Sequence, residues 1–367
     1  MKFIKSSLSF RVITQIEDLE VYSEEWNQIN AELPHQNPLM SYEWIVTFLE
    51  GLSNNNHEWS VVVVTCNGNL VAVLPLVIST ATKFGFRIQQ LELPFNDQTM
   101  SVDILIKKDL ESLVFNPLIK FVFNTYPKTQ VILLRRVDQR SNLMGIYKSF
   151  LFTCVDYCED GASLEIPENY SEFRCSLGKN FKSNLNKAHN KIKKIGGATF
   201  IDGRASGMTP HEMLNLVADM EDTGWKGRAC TSIKSSSVDY DFYEKLVIRL
   251  NETNNLYFHF LEVDGEIVAG NLGVLHGKKV LLWKLAYNES CKKYSPGGVL
   301  LEYLIQKHAG DNDINTVDLM TNESWYNNWN MNWRPFQTIY LFKPGLLGLY
   351  LYCLTFIKIL AKKIFKK

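Results

Sequence analysis

The feature that most constrains this chain is an internal near-repeat. Asn67-Gly68-Asn69-Leu70-Val71-Ala72 and Asp264-Gly265-Glu266-Ile267-Val268-Ala269 share a two-residue turn, an apolar strand start and a closing Val-Ala. Turns of the Asn-Gly and Asp-Gly kind between β-branched runs signal tight hairpins, because positive φ at both turn positions costs least for Asn, Asp and Gly. Residues 59–65 and 70–78 then read as one hairpin, and residues 256–264 and 266–275 as another. Helical patterns precede each: residues 18–33 and 42–49 before the first, with Pro34 and Pro38 as the break and Ser41 as N-cap, and residues 210–223 and 240–251 before the second. The same helix-helix-hairpin order twice predicts two copies of one α/β unit.

A chain of 367 residues has the length for two domains. The expected division is 1–160, 161–343 and a C-terminal helix over 344–367. Residues 159–170, with Glu159-Asp160-Gly161 and Pro167-Glu168-Asn169, read as the junction. Further strands are predicted at 10–13, 87–93, 101–106, 130–135, 279–287 and 316–320. A helix is predicted over 110–126, and a basic one over 181–195 ends at the C-cap Gly196-Gly197. The fold class is α/β with mixed sheets flanked by helices.

Lys plus Arg equals Asp plus Glu at 39 each, so no net field draws the chain to nucleic acid. The seven cysteines form no Cys-x-x-Cys pair, and an odd number argues against a disulfide framework. The first 13 residues lack the apolar core of a signal peptide, and no run approaches the ~20 apolar residues of a spanning helix. The expectation is a reduced, cytoplasmic protein. His259, His276 and His308 have no metal-ligand spacing, and no metal is assigned.

Tyr294-Ser295-Pro296-Gly297-Gly298-Val299-Leu300-Leu301 reads as an anion-binding turn opening a helix. Pro296 presets one φ, the glycines remove Cβ atoms from the approach, and the free amides of the first helical turn attract a phosphate. The alternative is a plain strand-helix turn.

At these residues the chain resembles the acyl-CoA-binding core of the GNAT acyltransferases, and more closely the FemAB and CelD (cellulose-biosynthesis) type with tandem GNAT-like domains. Asn37-Pro38-Leu39-Met40-Ser41-Tyr42-Glu43-Trp44, Ser176-Leu177-Gly178-Lys179-Asn180-Phe181-Lys182 and Glu221-Asp222-Thr223-Gly224-Trp225-Lys226-Gly227 are similar to segments of that type. The likeness covers roughly residues 10 to 343. It implies direct acyl transfer from acetyl-CoA or another acyl-CoA to an amine or hydroxyl, with the acceptor a small molecule or a cell-envelope sugar precursor.

By the same resemblance Tyr294, Ser295, Pro296, Gly297, Gly298 and Leu300 hold the donor. Glu221 and Asp318 are candidate bases, with Trp225, Trp325 and Trp329 as apolar surroundings, and Tyr287 or Tyr294 is the candidate acid. Trp225 and Lys226 are placed to bind the acceptor. The structural alternatives are a helix-end acid, a strand-end cap and half-buried aromatics. Lys179, Lys182, Lys187, Lys191, Lys193 and Lys194 either face an anionic substrate or form a solvated helix face. Two other functions stay open: an aminoacyl-tRNA-dependent transferase of the FemAB kind, and a non-catalytic scaffold in polysaccharide assembly. Cys230 and Cys291 lie near the expected cleft without a sign of nucleophilic function.

The apolar run 345–357, followed by Lys358, Lys362, Lys363, Lys366 and Lys367, is too short to span a bilayer. Residues 346–367 read either as an interfacial helix that favours anionic lipid or as a helix packed on the body or a partner. Oligomeric state is not legible.

Overall fold

Both hairpins form in the computed structural model, which describes residues 7–54, 57–311 and 313–365. Asn67 and Gly68 have φ of 53° and 88°, and Asp264 and Gly265 have 55° and 77°, the positive-φ pair of a twist-matched two-residue turn. The repeat goes deeper than the turn. Each returning strand has a β-bulge at its valine: the pairing skips Val71 between Leu70 and Ala72, and Val268 between Ile267 and Ala269.

Contacts divide the chain into two compact units, Met1–Asp160 with Arg334–Lys367, and Gly161–Trp333. In chain order the first holds β1 (Leu8–Ile13), α1 (Ser23–Glu32), α2 (Tyr42–Asn54), β2 (Trp59–Cys66), β3 (Asn69–Lys83), β4 (Phe86–Glu92), β5 (Leu105–Ile106), α3 (Glu111–Thr125), β6 (Thr129–Asp138), α4 (Met144–Ser149) and the start of β7 (Thr153–Glu165). Its strands run β1-β2-β3-β4-β6, with β5 on β3; β4 and β6 are parallel and the other pairs antiparallel.

The second unit holds α5 (Tyr170–Ser176), α6 (Lys179–Lys193), β8 (Ala198–Asp202), α7 (Pro210–Thr223), α8 (Trp225–Arg228), α9 (Ser237–Glu252), β9 (Leu256–Val263), β10 (Glu266–His276), β11 (Lys279–Tyr287), α10 (Pro296–His308) and β12 (Thr316–Asp318). Its strands run β8-β9-β10-β11-β12, again with one parallel pair, β11 with β12. Thus strand, two helices, hairpin, third strand, helix and parallel strand follow in both units. The chain then forms β13 (Asn332–Phe342), which pairs antiparallel with β6, and α11 (Leu346–Phe365).

Several local expectations differ. The predicted helix 18–33 is split into a 3₁₀ segment Glu17–Tyr22 and α1. The predicted strand 101–106 shrinks to β5, because the Met100 and Ser101 carbonyls accept from Arg136 Nε (2.5 Å) and Asn37 Nδ2 (3.2 Å) instead of from a ladder. Glu159-Asp160-Gly161 is not a loop but lies within β7, whose Ser163, Leu164 and Glu165 pair with β12. Residues 334–343, assigned above to the second domain, contribute β13 to the first unit's sheet. α11 packs one stripe, Leu351 and Ile359, into a core with Ile88, Val131, Cys154 and Phe342. Burial of each such side chain stabilises by roughly 1.5–3 kcal/mol.

Candidate active site

The turn at the head of α10 has no structural need for its glycines. Neither Gly297 nor Gly298 has positive φ. A Cβ built on Gly298 meets nothing within 4 Å, and one on Gly297 comes no nearer than 3.9 Å to the Tyr287 ring. Two glycines in a first turn cost helix stability without a return in packing. What they provide is open approach to the backbone. Ser295 is left-handed (φ 49°, ψ 49°) and its hydroxyl caps nothing; Pro296 has no N–H; the Val299 amide is already bonded to the Ser295 carbonyl at 3.0 Å. The Gly297 and Gly298 amides lie where a helix has no acceptor for them. Together with the helix dipole they suit a phosphate oxygen.

Positive charge collects beside this turn. Lys292 and Lys293 close the 3₁₀ segment leading into Ser295. Lys191 of α6 donates from Nζ to the Lys293 carbonyl at 3.1 Å. α6 turns Leu185, Ala188 and Ile192 inward, and its lysines lie on the polar side. A buried carboxylate fixes it there: Glu302 of α10 accepts from Tyr170 Oη (2.6 Å) and Arg174 Nε (2.8 Å) and pairs with His189 Nε2 (2.6 Å). Burial works to raise the Glu302 carboxyl, but the bonds from His189, Arg174 and Tyr170 outweigh it and hold the group down to about 2.

The third strand is the next part. On β11, β12 pairs only with Lys279, Val280 and Leu281, so residues 282–287 of β11 run on past it toward the turn. A bulge at Trp283, between Leu282 opposite Gly273 and Lys284 opposite Leu272, alters the twist there. A strand edge released in this way is a template for an added extended chain. The first unit has neither feature. β6 pairs along β4 through Glu92, and α3 opens with Glu111 in its first turn, where an acid opposes an anion.

One wall of a small open cleft is Leu285-Ala286-Tyr287 at the end of β11; Met220, Glu221, Gly224, Trp225, Lys226 and Glu289 form the rest. Glu221 ends α7 and is 3% exposed. Its Oε1 carries the Lys226 ammonium and its Oε2 accepts from the Ile233 amide at 3.3 Å. Trp225, 58% exposed, forms the lip. Glu289, which the sequence reading left without a role, accepts from the Trp225 amide at 2.9 Å and from Arg228 at 2.8 Å; Arg228 foremost holds its carboxyl below the ordinary range. Gly227 permits the tight fold of α8, since a Cβ there would overlap the Asp222 carbonyl.

The cleft therefore brings together Glu221, Trp225, Lys226 and Tyr287, but not all the expected residues. Asp318 is fully buried on β12 beside Leu281, several residues back along β11 from the cleft. Its Oδ1 accepts from the Met320 amide at 3.1 Å and its Oδ2 lies 3.8 Å from Lys279. Leu300 points into the core with Ala188, Ile192 and Leu261, and Tyr294 packs against that cluster. Trp329 and Trp325 belong to another core cluster with Tyr326. Cys230 is exposed and Cys291 half-buried; both are free thiols. Among the described residues no group of three His, Cys, Asp or Glu is arranged to hold a metal.

Residues 179–328 match the family model described as acetyltransferase (GNAT) domain. A search of curated protein sequences finds no match. Among solved structures the fold is similar to FemX (TM-score 0.61, 11% identity, 90% of this chain and 98% of that one). It is also similar to the C-terminal domain of a putative lysylphosphatidylglycerol synthetase from Agrobacterium fabrum (0.54, 11%, 93% and 97%) and to L-PGS from Bacillus licheniformis (0.51, 12%, 94% and 98%). At these identities the likeness is one of fold.

Proposed function

We propose that this chain, whose residues 179–328 match an acetyltransferase (GNAT) domain, transfers an acyl group from an acyl-CoA directly to an amine or hydroxyl in the second unit. One observation carries the reading. The segment Leu285-Ala286-Tyr287 is both the end of the strand edge that runs to the glycine turn and a wall of the cleft holding Glu221 and Lys226. A donor along the edge would reach an acceptor in the cleft.

The open glycine turn fits the donor's pyrophosphate, with the Gly297 and Gly298 amides and Lys191, Lys292 and Lys293 as its partners. The edge of residues 282–287 suits the amides of the pantetheine arm. When bound, the donor supplies an activated thioester. The chain's own residues then orient the acceptor and move protons. Trp225 offers an exposed face for a ring or chain, and Lys226 a cation for an acceptor oxygen. Glu221 takes the acceptor's proton at Oε1 once the acceptor nitrogen or oxygen replaces Lys226 there. Tyr287 is the proton donor for the leaving sulfur. Asp318 holds the turn after β12. Calorimetric titration with acetyl-CoA, and with longer acyl-CoAs if it fails, tests the reading; Gly298→Trp is the control. Absence of binding by every acyl-CoA rejects it.

The exposed lysine face of α6 next to the same turn favours a second reading, in which the donor is aminoacyl-tRNA and the polyanion lies along that helix. Loss of activity on RNase treatment would favour this reading over CoA dependence.

A further inference from the structure

α11 is amphipathic in the reverse sense for a helix at a protein surface. Leu351, Thr355 and Ile359 face the core of the first unit. The opposite side is apolar from end to end: Leu346, Leu349, Phe356, Ile357, Leu360 and Ile364 are between 40% and 91% exposed. At 100° per residue these side chains centre on the direction opposite the buried stripe. The helix carries Lys358, Lys362 and Lys363 and no acidic residue. By the same geometry Lys358 and Lys363 fall on opposite sides of the buried stripe, while Lys362 lies in line with the stripe and donates to Asp156. The apolar surface continues past the helix, where Phe86 meets Tyr350 edge-on at 5.6 Å, and exposed Phe84 stands at the tip of the β3-β4 hairpin. No described helix is long and apolar enough to cross a membrane.

We propose that this face docks the protein on an anionic phospholipid surface, with α11 lying in the interface. An apolar ridge with Lys358 on one side and Lys363 on the other matches a bilayer boundary, acyl chains below and phosphates within reach of the ammonium groups. A second copy of the chain is the poorer occupant. A two-fold contact through this ridge would set one copy's lysines against those of its partner.

The test uses the full chain, since removing α11 would expose Ile88, Val131 and Phe342. Cosedimentation is measured with phosphatidylcholine vesicles containing or lacking phosphatidylglycerol, beside sedimentation equilibrium without lipid. Phe356→Ser/Ile357→Ser/Leu360→Ser changes only exposed residues. Lys358→Gln/Lys363→Gln spares Lys362, which donates to Asp156 at 3.0 Å. The proposal expects binding to anionic vesicles, at least tenfold weaker after the serine changes and about fivefold weaker per lysine removed, with the melting temperature kept. It is overturned if the chain stays in the supernatant with anionic vesicles, if the serine variant binds them as well as the parent, or if a dimer forms that the serine changes abolish.

Discussion

Lys226 reaches back five residues to place its ammonium on the carboxylate of Glu221, a buried group whose other oxygen is held by the Ile233 amide. In the proposed reaction an acceptor amine would displace this cation from a carboxylate already held in place. Glu221→Gln keeps the shape and removes the base. Turnover should fall by about 10²–10⁴-fold with donor affinity unchanged. A loss of less than tenfold in single-turnover kinetics removes Glu221 from the role. Lys226→Met leaves the carboxylate one partner and should cost about 1–3 kcal/mol in denaturant unfolding.

The glycine turn separates stability from binding. Gly298→Ala introduces a Cβ into open space at an ordinary helical position. It should stabilise the fold by roughly 0.5–1 kcal/mol while weakening the donor. Gly298→Trp should melt near the parent temperature and lose at least ~100-fold in donor affinity, as two to three charge-assisted bonds go. Retained binding by the Trp variant in calorimetry would place the donor elsewhere.

Asp103 in the first unit is a half-buried acid with a pH signature. Burial raises its carboxyl to about 6, against bonds from Ser141 and from Tyr147 Oη (2.5 Å) that act to lower it. An acid raised in the fold binds its proton there more tightly than in the unfolded chain. Its contribution therefore favours folding at low pH and is lost as pH rises from about 4 through about 6. Asp103→Asn keeps the acceptor and removes the titration. Relative to the parent it should gain roughly 2–3 kcal/mol between pH 4 and pH 8. Parallel stability profiles would refute this.

Glu302 works in the opposite sense. Its depressed carboxyl contributes stability that is complete above about pH 4.5 and lost as pH falls toward about 2. Glu302→Gln should cost about 1–3 kcal/mol at pH 7, with its partners Arg174 and His189 partly solvated, and the gap should close over that acid window. Amide exchange along α6 should quicken in the variant, because Glu302 adds polar ties from α5 and α6 to α10 beside their apolar packing. Equal stability at pH 7 would show the cluster to be incidental.

Two corresponding helix starts exist in the duplicated fold, and of these only α10 opens with glycines, while α3 opens with Glu111. Titration should give one donor per chain. Glu111→Gly in α3 should create no second site, since β6 still covers β4 beyond Gln89. A stoichiometry of two would contradict the assignment.

Local rules made much of this legible. Positive-φ turns at Asn67-Gly68 and Asp264-Gly265, the Thr209-Pro210 start of α7 with its capping box, and the Pro296-Gly297-Gly298 helix start all depend on neighbours within a few residues. Such features follow from backbone sterics and orphan amides, which the local sequence contains. The pairing of Glu221 with Lys226 was within reach for the same reason, at i and i+5 around a helix end. Glu289 was not legible as a partner, because Arg228 and the Trp225 amide meet it from more than 60 residues away.

What the sequence by itself determined was the repeated hairpin and the glycine-containing start of α10, both written in short-range turn chemistry. Only the tertiary structure decided which duplicate is open. That depends on β12 pairing with three residues of β11 while β6 pairs along β4, a matter of register between strands far apart in the chain. It also set the two carboxylates apart: Glu221 lines the cleft, and Asp318 is buried back along the sheet. For α11 it decided which face is packed. The helix packs by one stripe on the first unit, and its other face stays apolar and exposed, since what a helix buries is set by the surface it meets.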